Sequence, residues 1–214
     1  MKKVFGLIFV CLLAAGCATK SLRVTVPAAQ PQPTTLGYVR IDQIKDLRNF
    51  VVAPKHPSIP SIEGDHISDT AKTDTSIGRM RHGMFHHALW NYTLKDDKNI
   101  YEVCEEIVSS SLTIAGYAVV TKGNDQYGSA LPLSIEILQF WAWMQPKFNI
   151  DLYFDGELKV ISMDPENSIN VTAKSAHMFS TGMANGSNWT KLVNQGVSDL
   201  QSDLVSKLKP NERF

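Results

Sequence analysis

Residues 131–180 read LPLSIEILQFWAWMQPKFNIDLYFDGELKVISMDPENSINVTAKSAHMFS. Alternation runs through the whole stretch, so it reads as a succession of strands. In Leu131 to Met144, Leu131, Leu133, Ile135 and Ile137 fall on one face, and Leu138, Phe140, Ala142 and Met144 on the other. A strand apolar on both faces is central or covered on both sides. Lys147 to Met163 alternates more cleanly. Phe148, Ile150, Leu152, Phe154, Leu158 and Val160 share a face, opposed by Asn149, Asp151, Asp155, Glu157 and Lys159. Asp155-Gly156 would ordinarily mark a two-residue hairpin. That turn would set Phe154 and Leu152 against Glu157 and Lys159, so a continuous strand with Gly156 as a bend or bulge fits better. The turn falls instead at Asp164-Pro165-Glu166-Asn167, after which Ser168 to Ser180 returns with Ile169, Val171, Ala173 and Phe179 on one face.

On the N-terminal side of this meander, Asn99 to Ala115 predicts a helix. Ile100, Val103, Cys104, Ile107, Val108, Ser111 and Ile114 recur at helical spacing. Asn99 with Glu102 three residues later resembles a capping box, Asp97 being the other candidate cap, and Gly116 is a natural stop. Tyr117 to Val120 starts a short strand, and Leu36 to Ile44 reads as an earlier one, followed by Asp46-Leu47-Arg48. Between these lies a long, weakly patterned insert, Asn49 to Asp97, in which Ile77 to Trp90 fits a helix or a strand equally. On the other side, Trp189, Leu192, Val193, Gly196, Val197, Leu200, Leu204 and Leu208 make the stripe of a last helix, ended by Pro210. This order predicts an α+β fold, a mainly antiparallel sheet with two helices packed on one face, after a signal and a flexible tether.

The N-terminus carries an address. Met1-Lys2-Lys3 is a short basic start, and Val4 to Ala15 is almost wholly apolar, ending in small residues. That is the layout of a secretory signal, too short to span a membrane as a helix. Leu12-Leu13-Ala14-Ala15-Gly16-Cys17 resembles the lipobox of bacterial lipoproteins. The resemblance implies cleavage before Cys17, acylation of its thiol and amine, and, with Ala18 rather than Asp following, sorting to the outer membrane. Several acyl chains hold a protein to a bilayer where one does so only marginally. The expected organisation is therefore a signal at 1–16, a lipid anchor and Pro-rich tether at 17–35, and one periplasmic domain at 36–210 with the insert at 49–97.

The chain carries 21 basic and 21 acidic residues. Removing residues 1–16 takes away Lys2 and Lys3 and leaves it near neutral, which does not suit nucleic-acid binding. Of three cysteines, Cys11 leaves with the signal and Cys17 is modified. Cys104 alone remains, so no intramolecular disulfide is expected.

The lipobox, the strand ending in Asp46-Leu47-Arg48, and the helix running into Ala115-Gly116-Tyr117-Ala118-Val119-Val120 together resemble the YajG-like lipoproteins. In outline they are also similar to envelope auxiliary lipoproteins of the TolB N-domain type. The resemblance covers roughly residues 36–48 and 99–208. It implies a non-enzymatic, outer-membrane-anchored protein facing the periplasm, with no cofactor and no catalytic residue to carry over.

A few other residues have types and spacings that could carry chemistry. His82 and His86, in Arg81-His82-Gly83-Met84-Phe85-His86-His87, would share a helix face and could ligate a metal. Gly83 weakens that helix, and no Glu lies between the histidines. Cys104 falls on an apolar stripe, where a free cysteine acts as a small hydrophobe. No Gly-x-Ser-x-Gly elbow and no Gly-rich phosphate loop is present. Trp141 and Trp143 share the odd-numbered face with the leucines, which predicts burial. Left uncovered by the helices, they would receive a lipid or a partner. The expected function is a binding or assembly lipoprotein, with the membrane held through Cys17 and an envelope protein as partner. The alternative is a periplasmic metal-binding protein.

Overall fold

The computed structural model describes residues 18–30, 36–62, 66–82, 88–146, 149–167 and 169–209. In chain order the elements are β1 (Ala18–Leu22), β2 (Gly37–Asp46), α1 (Thr70–Thr75), β3 (Ser76–Arg81), β4 (Ala88–Leu94), α2 (Ile100–Ala115), β5 (Tyr117–Val119), β6 (Leu131–Pro146), β7 (Ile150–Ser162), β8 (Asn170–Thr181) and α3 (Gly186–Leu208), with a 3-10 turn at His66–Ser68 before α1.

β6 is the axis of the sheet. One of its edges pairs antiparallel with β7 from Leu133–Ser162 to Pro146–Ile150, and β7 pairs antiparallel with β8. The other edge is shared end to end by two strands. β2 runs parallel to it from Val39–Leu131 to Asp46–Ile137, and β3 runs parallel at Gly78–Ala142 and Arg79–Trp143. Outside β2 lies β5, parallel; outside β3 lies β4, antiparallel, and then β1, parallel to β4. The sheet is therefore forked and mixed. Four of the seven pairings among the described residues are parallel, which corrects the expectation of a mainly antiparallel sheet. The described residues also hold three α-helices rather than two. The physical reason is connectivity. β6, β7 and β8 follow one another through short turns and must reverse direction. β3 and β4, six residues apart in sequence, reverse in the same way. The parallel pairs β1–β4, β2–β5, β2–β6 and β3–β6 each join strands separated by helices, by other strands or by long segments, and such crossovers allow parallel neighbours.

A β-bulge at Leu138 marks the fork. Ile137 pairs with Leu158 and Gln139 with Glu157, so Leu138 is an extra residue in β6. The extra residue reverses which parity faces the helices. Leu133, Ile135 and Ile137 point into the main core, and after the bulge Phe140, Ala142 and Met144 take over that face. Trp141 and Trp143 consequently lie on the opposite face, not with the leucines. β7 runs unbroken through Gly156, so the irregularity sits in its partner strand.

α2 and α3 touch one another on one side of the sheet. Asn99 accepts from the Glu102 N–H and the Glu102 carboxylate accepts from the Asn99 N–H, the reciprocal cap expected at this N-terminus. Gly116 ends α2 in the left-handed region at φ 103°. Gly196 lets α3 settle on β7: a Cβ there would lie 2.1 Å from Phe154 Cδ1. Phe154 in turn meets Phe140 edge-on at 5.0 Å, and Trp189 stacks on Tyr92 at 4.1 Å.

The N-terminal segment is part of the domain. Where the proline content predicts a free tether from residue 17, Ala18–Leu22 is an edge strand, and Leu22, Val24 and Val26 are buried. The segment then crosses the seam between the helices. The Thr25 N–H donates to Asn194 Oδ1 at 2.9 Å, and the Pro27 carbonyl accepts from Ser110 Oγ and Gln201 Nε2, both at 2.9 Å. Alternating apolar residues and satisfied backbone groups outweigh a polar, Pro-rich composition here.

Candidate functional site

Asp46 and Arg48 occupy the crotch of the fork, where β2 leaves β6 and β3 joins it. The Arg48 side chain is fully buried. It forms a two-pronged pair with Asp46, Nε to Oδ1 at 2.9 Å and Nη2 to Oδ2 at 2.7 Å. It also donates to the carbonyls of Ser76 (2.7 Å) and Thr73 (2.9 Å). Its guanidinium lies 5.0 Å from the centre of the Phe50 ring, whose edge meets Trp141 at 5.9 Å. A guanidinium with its donors so engaged joins segments rather than awaiting a substrate.

Residues 49–62 of the insert lie over the tryptophan face. Trp141 Nε1 donates to the Pro57 carbonyl at 3.2 Å, and Gln139 Nε2 to the Ser58 carbonyl at 3.1 Å. Trp141 is 1 % exposed, and Trp143, stacked on Tyr153 at 5.3 Å, is 5 % exposed. Both are buried, covered from the side opposite the helices. Deeper in the same layer, Arg81 donates to Ser61 Oγ and, at 2.8 Å, to the Pro54 carbonyl. Burial and the neighbouring Arg79 guanidinium lower the Arg81 pKa. Sequence reasoning missed this layer because strand arginines read as solvent-facing.

His82 is half-buried after β3, while His86 and Cys17 lie outside the described residues. Among the described residues no group of three or more His, Cys, Asp or Glu side chains could hold a metal ion. Cys104 is buried and free, and burial pushes its thiol pKa far up, the opposite of what a nucleophile needs.

A groove of about 770 Å³ lies at the end of the sheet where β2 and β6 begin. Leu36 (47 % exposed) and Tyr38 (44 %) form one lip, and the 164–167 turn and the end of α3 form the other. Its charged groups are already engaged. Arg40 pairs with Asp42 at 3.0 Å and donates to the Tyr127 and Ala130 carbonyls. Lys207 holds the Thr172 carbonyl (2.8 Å) and Asp203 (2.7 Å). Asp164 accepts from the Glu166 N–H and from Asn167 Nδ2, which lowers its pKa. Exposed apolar lips over a satisfied polar floor suit binding of a partner surface.

No known family model and no curated protein matches the sequence. Among solved structures, the chain is similar to the Xanthomonas campestris protein XCC0632, described with the family DUF330. The two are 8 % identical over 87 % of this chain and 92 % of that one, at a TM-score of 0.47. It is also similar to an uncharacterized protein, 10 % identical over 89 % of this chain and 99 % of that one, at a TM-score of 0.45. Likeness at this level carries no functional argument.

Proposed function

We propose that the chain is a lipid-anchored binding or assembly protein of a bacterial envelope. It would be acylated at Cys17, held to the outer membrane, and would serve an envelope complex or lipid transport system without chemistry of its own. The observation that carries this reading is the basic start, apolar run and small residues that end at Cys17. Its support from the fold is that β1 begins at Ala18, directly after that cysteine. An acylated Cys17 would seat the domain on the bilayer itself. The groove beside Leu36 and Tyr38 is the contact surface for the partner.

In-cell crosslinking tests the reading. A photo-crosslinking residue at position 38 is introduced into the wild-type chain and into the Cys17→Ser chain, each produced in intact cells. One defined envelope protein captured by the wild-type chain, and lost in Cys17→Ser, is the expected result. Equal capture by both forms, or capture by neither, overturns the anchored assembly role.

A further inference from the structure

The strand registers identify which end of the molecule would face the bilayer. Ala18 pairs with Trp90, and Trp90 with Met80. One step further along, β3 reaches β6 at Arg79–Trp143; then Met144 pairs with Leu152, and Leu152 with Phe179. One transverse row therefore links Ala18, at the edge of the sheet, to Phe179 on the far strand. Two lysine–aromatic pairs sit in this row: Lys20 Nζ lies 4.1 Å from the Trp90 ring centre, and Lys191 Nζ lies 4.9 Å from that of Phe179. At the same end of the sheet, Met178, on the face of β8 opposite Phe179, is 54 % exposed, and Met183, just past β8, 65 %. Exposed apolar side chains at the same end of a sheet as aromatic rings capped by lysine ammonium groups are the chemistry that a headgroup region accepts. The rings and methylenes enter the interface while the charges stay wet.

We propose that this rim, carrying Trp90, Phe179, Met178 and Met183, is a membrane-facing surface whose occupant is the phospholipid bilayer. The proposal rests on acylation of Cys17. The Cα of an acylated Cys17 would lie about 3.8 Å from that of Ala18, one peptide away. The anchor therefore brings this end, and no other, to the headgroups. The groove beside Leu36 lies at the opposite end of β6, whose 16 residues span about 50 Å. It would open away from the membrane, toward the periplasm.

The test uses the full chain purified from bacterial membranes and reconstituted in phosphatidylcholine vesicles containing a nitroxide-headgroup lipid. Mass spectrometry first reports the acyl chains on Cys17. Bimane is attached at Met183→Cys or, separately, at Leu36→Cys; Cys104 is buried and does not compete. Strong quenching at position 183 and none at 36 is expected. Trp90 supplies a second readout, since it is half-exposed while Trp141, Trp143 and Trp189 are buried. Its quenching should vanish in Trp90→Phe. With Cys17 acylated, quenching at 36, or at neither position, overturns the orientation and leaves the anchor standing. An unmodified Cys17 overturns the anchor and the orientation with it.

Discussion

Replacing Arg48 with alanine should unlock the fork. The substitution strips the Asp46 carboxylate, whose side chain is 10 % exposed, of its two-pronged partner. It also leaves the Ser76 and Thr73 carbonyls without their donor. Removing one member of a buried ion pair costs about 3–5 kcal/mol, because the other charge stays desolvated and unpaired. The orphaned carbonyls add to this, each on the order of 1 kcal/mol, though not additively with the ion pair. A domain of this size loses about 2–4 °C of Tm per kcal/mol, so a fall of roughly 10 °C is expected. The assay is thermal and urea unfolding of the mature chain carrying Cys17→Ser, with and without Arg48→Ala. Arg48→Lys should recover only part of the loss, since an ammonium cannot grip both Asp46 oxygens. Asp46→Asn combined with Arg48→Met should be less destabilised than Arg48→Ala alone, because no buried charge is stranded. A loss below about 1 kcal/mol for Arg48→Ala, the level of an exposed ion pair, would refute the reasoning.

Gly196→Ala should destabilise by about 1–3 kcal/mol in urea titration, because the new methyl overlaps the Phe154 ring. Deleting Leu138 should abolish cooperative unfolding, since without the bulge the tryptophans of β6 turn to the helix side. The Cys104 thiol should resist thiol reagents in the native chain and react at the rate of global unfolding, because burial holds it protonated. Tyr92 has a buried hydroxyl with no hydrogen-bond partner, and burial pushes its pKa from 10.0 up to about 12. Its contribution to stability is therefore complete below pH 10 and lost as pH rises from there toward 12, as the unfolded chain ionises first. Tyr92→Phe should flatten that alkaline decline and leave stability at pH 7 unchanged or higher.

The legible parts of the fold were those written in local chemistry. The Asn99–Glu102 cap, the Gly116 stop, the continuity of β7 through Gly156 and the turn at Asp164 each follow from a few neighbouring residues. The parallel pairings were not legible, because alternation marks a strand but says nothing about its direction. β1 hid behind a polar, Pro-rich composition, although Leu22, Val24 and Val26 alternate as a buried edge requires. The bulge at Leu138 shows how far one residue reaches. Reading β6 as an unbroken alternation placed Trp141 and Trp143 with the leucines, and the extra residue moves them to the other face. Arg48, Arg79 and Arg81 were invisible as interior groups, since burial of an arginine is decided by partners distant in sequence. Of the candidate functional features, the proposed anchor at Cys17 rests on the local resemblance of residues 12–17 to a lipobox, and Cys17 lies outside the described residues. The groove could not be read from sequence, because Leu36 and Lys207 meet only in the fold.

The central claim is that the protein is held to a membrane through Cys17. The mass of the N-terminal peptide of the protein purified from bacterial membranes tests it most directly. The account predicts a peptide beginning at Cys17 and carrying a diacylglycerol on sulfur and an acyl chain on the amine. A peptide beginning at Met1 or elsewhere, or beginning at Cys17 with an unmodified thiol, would contradict it.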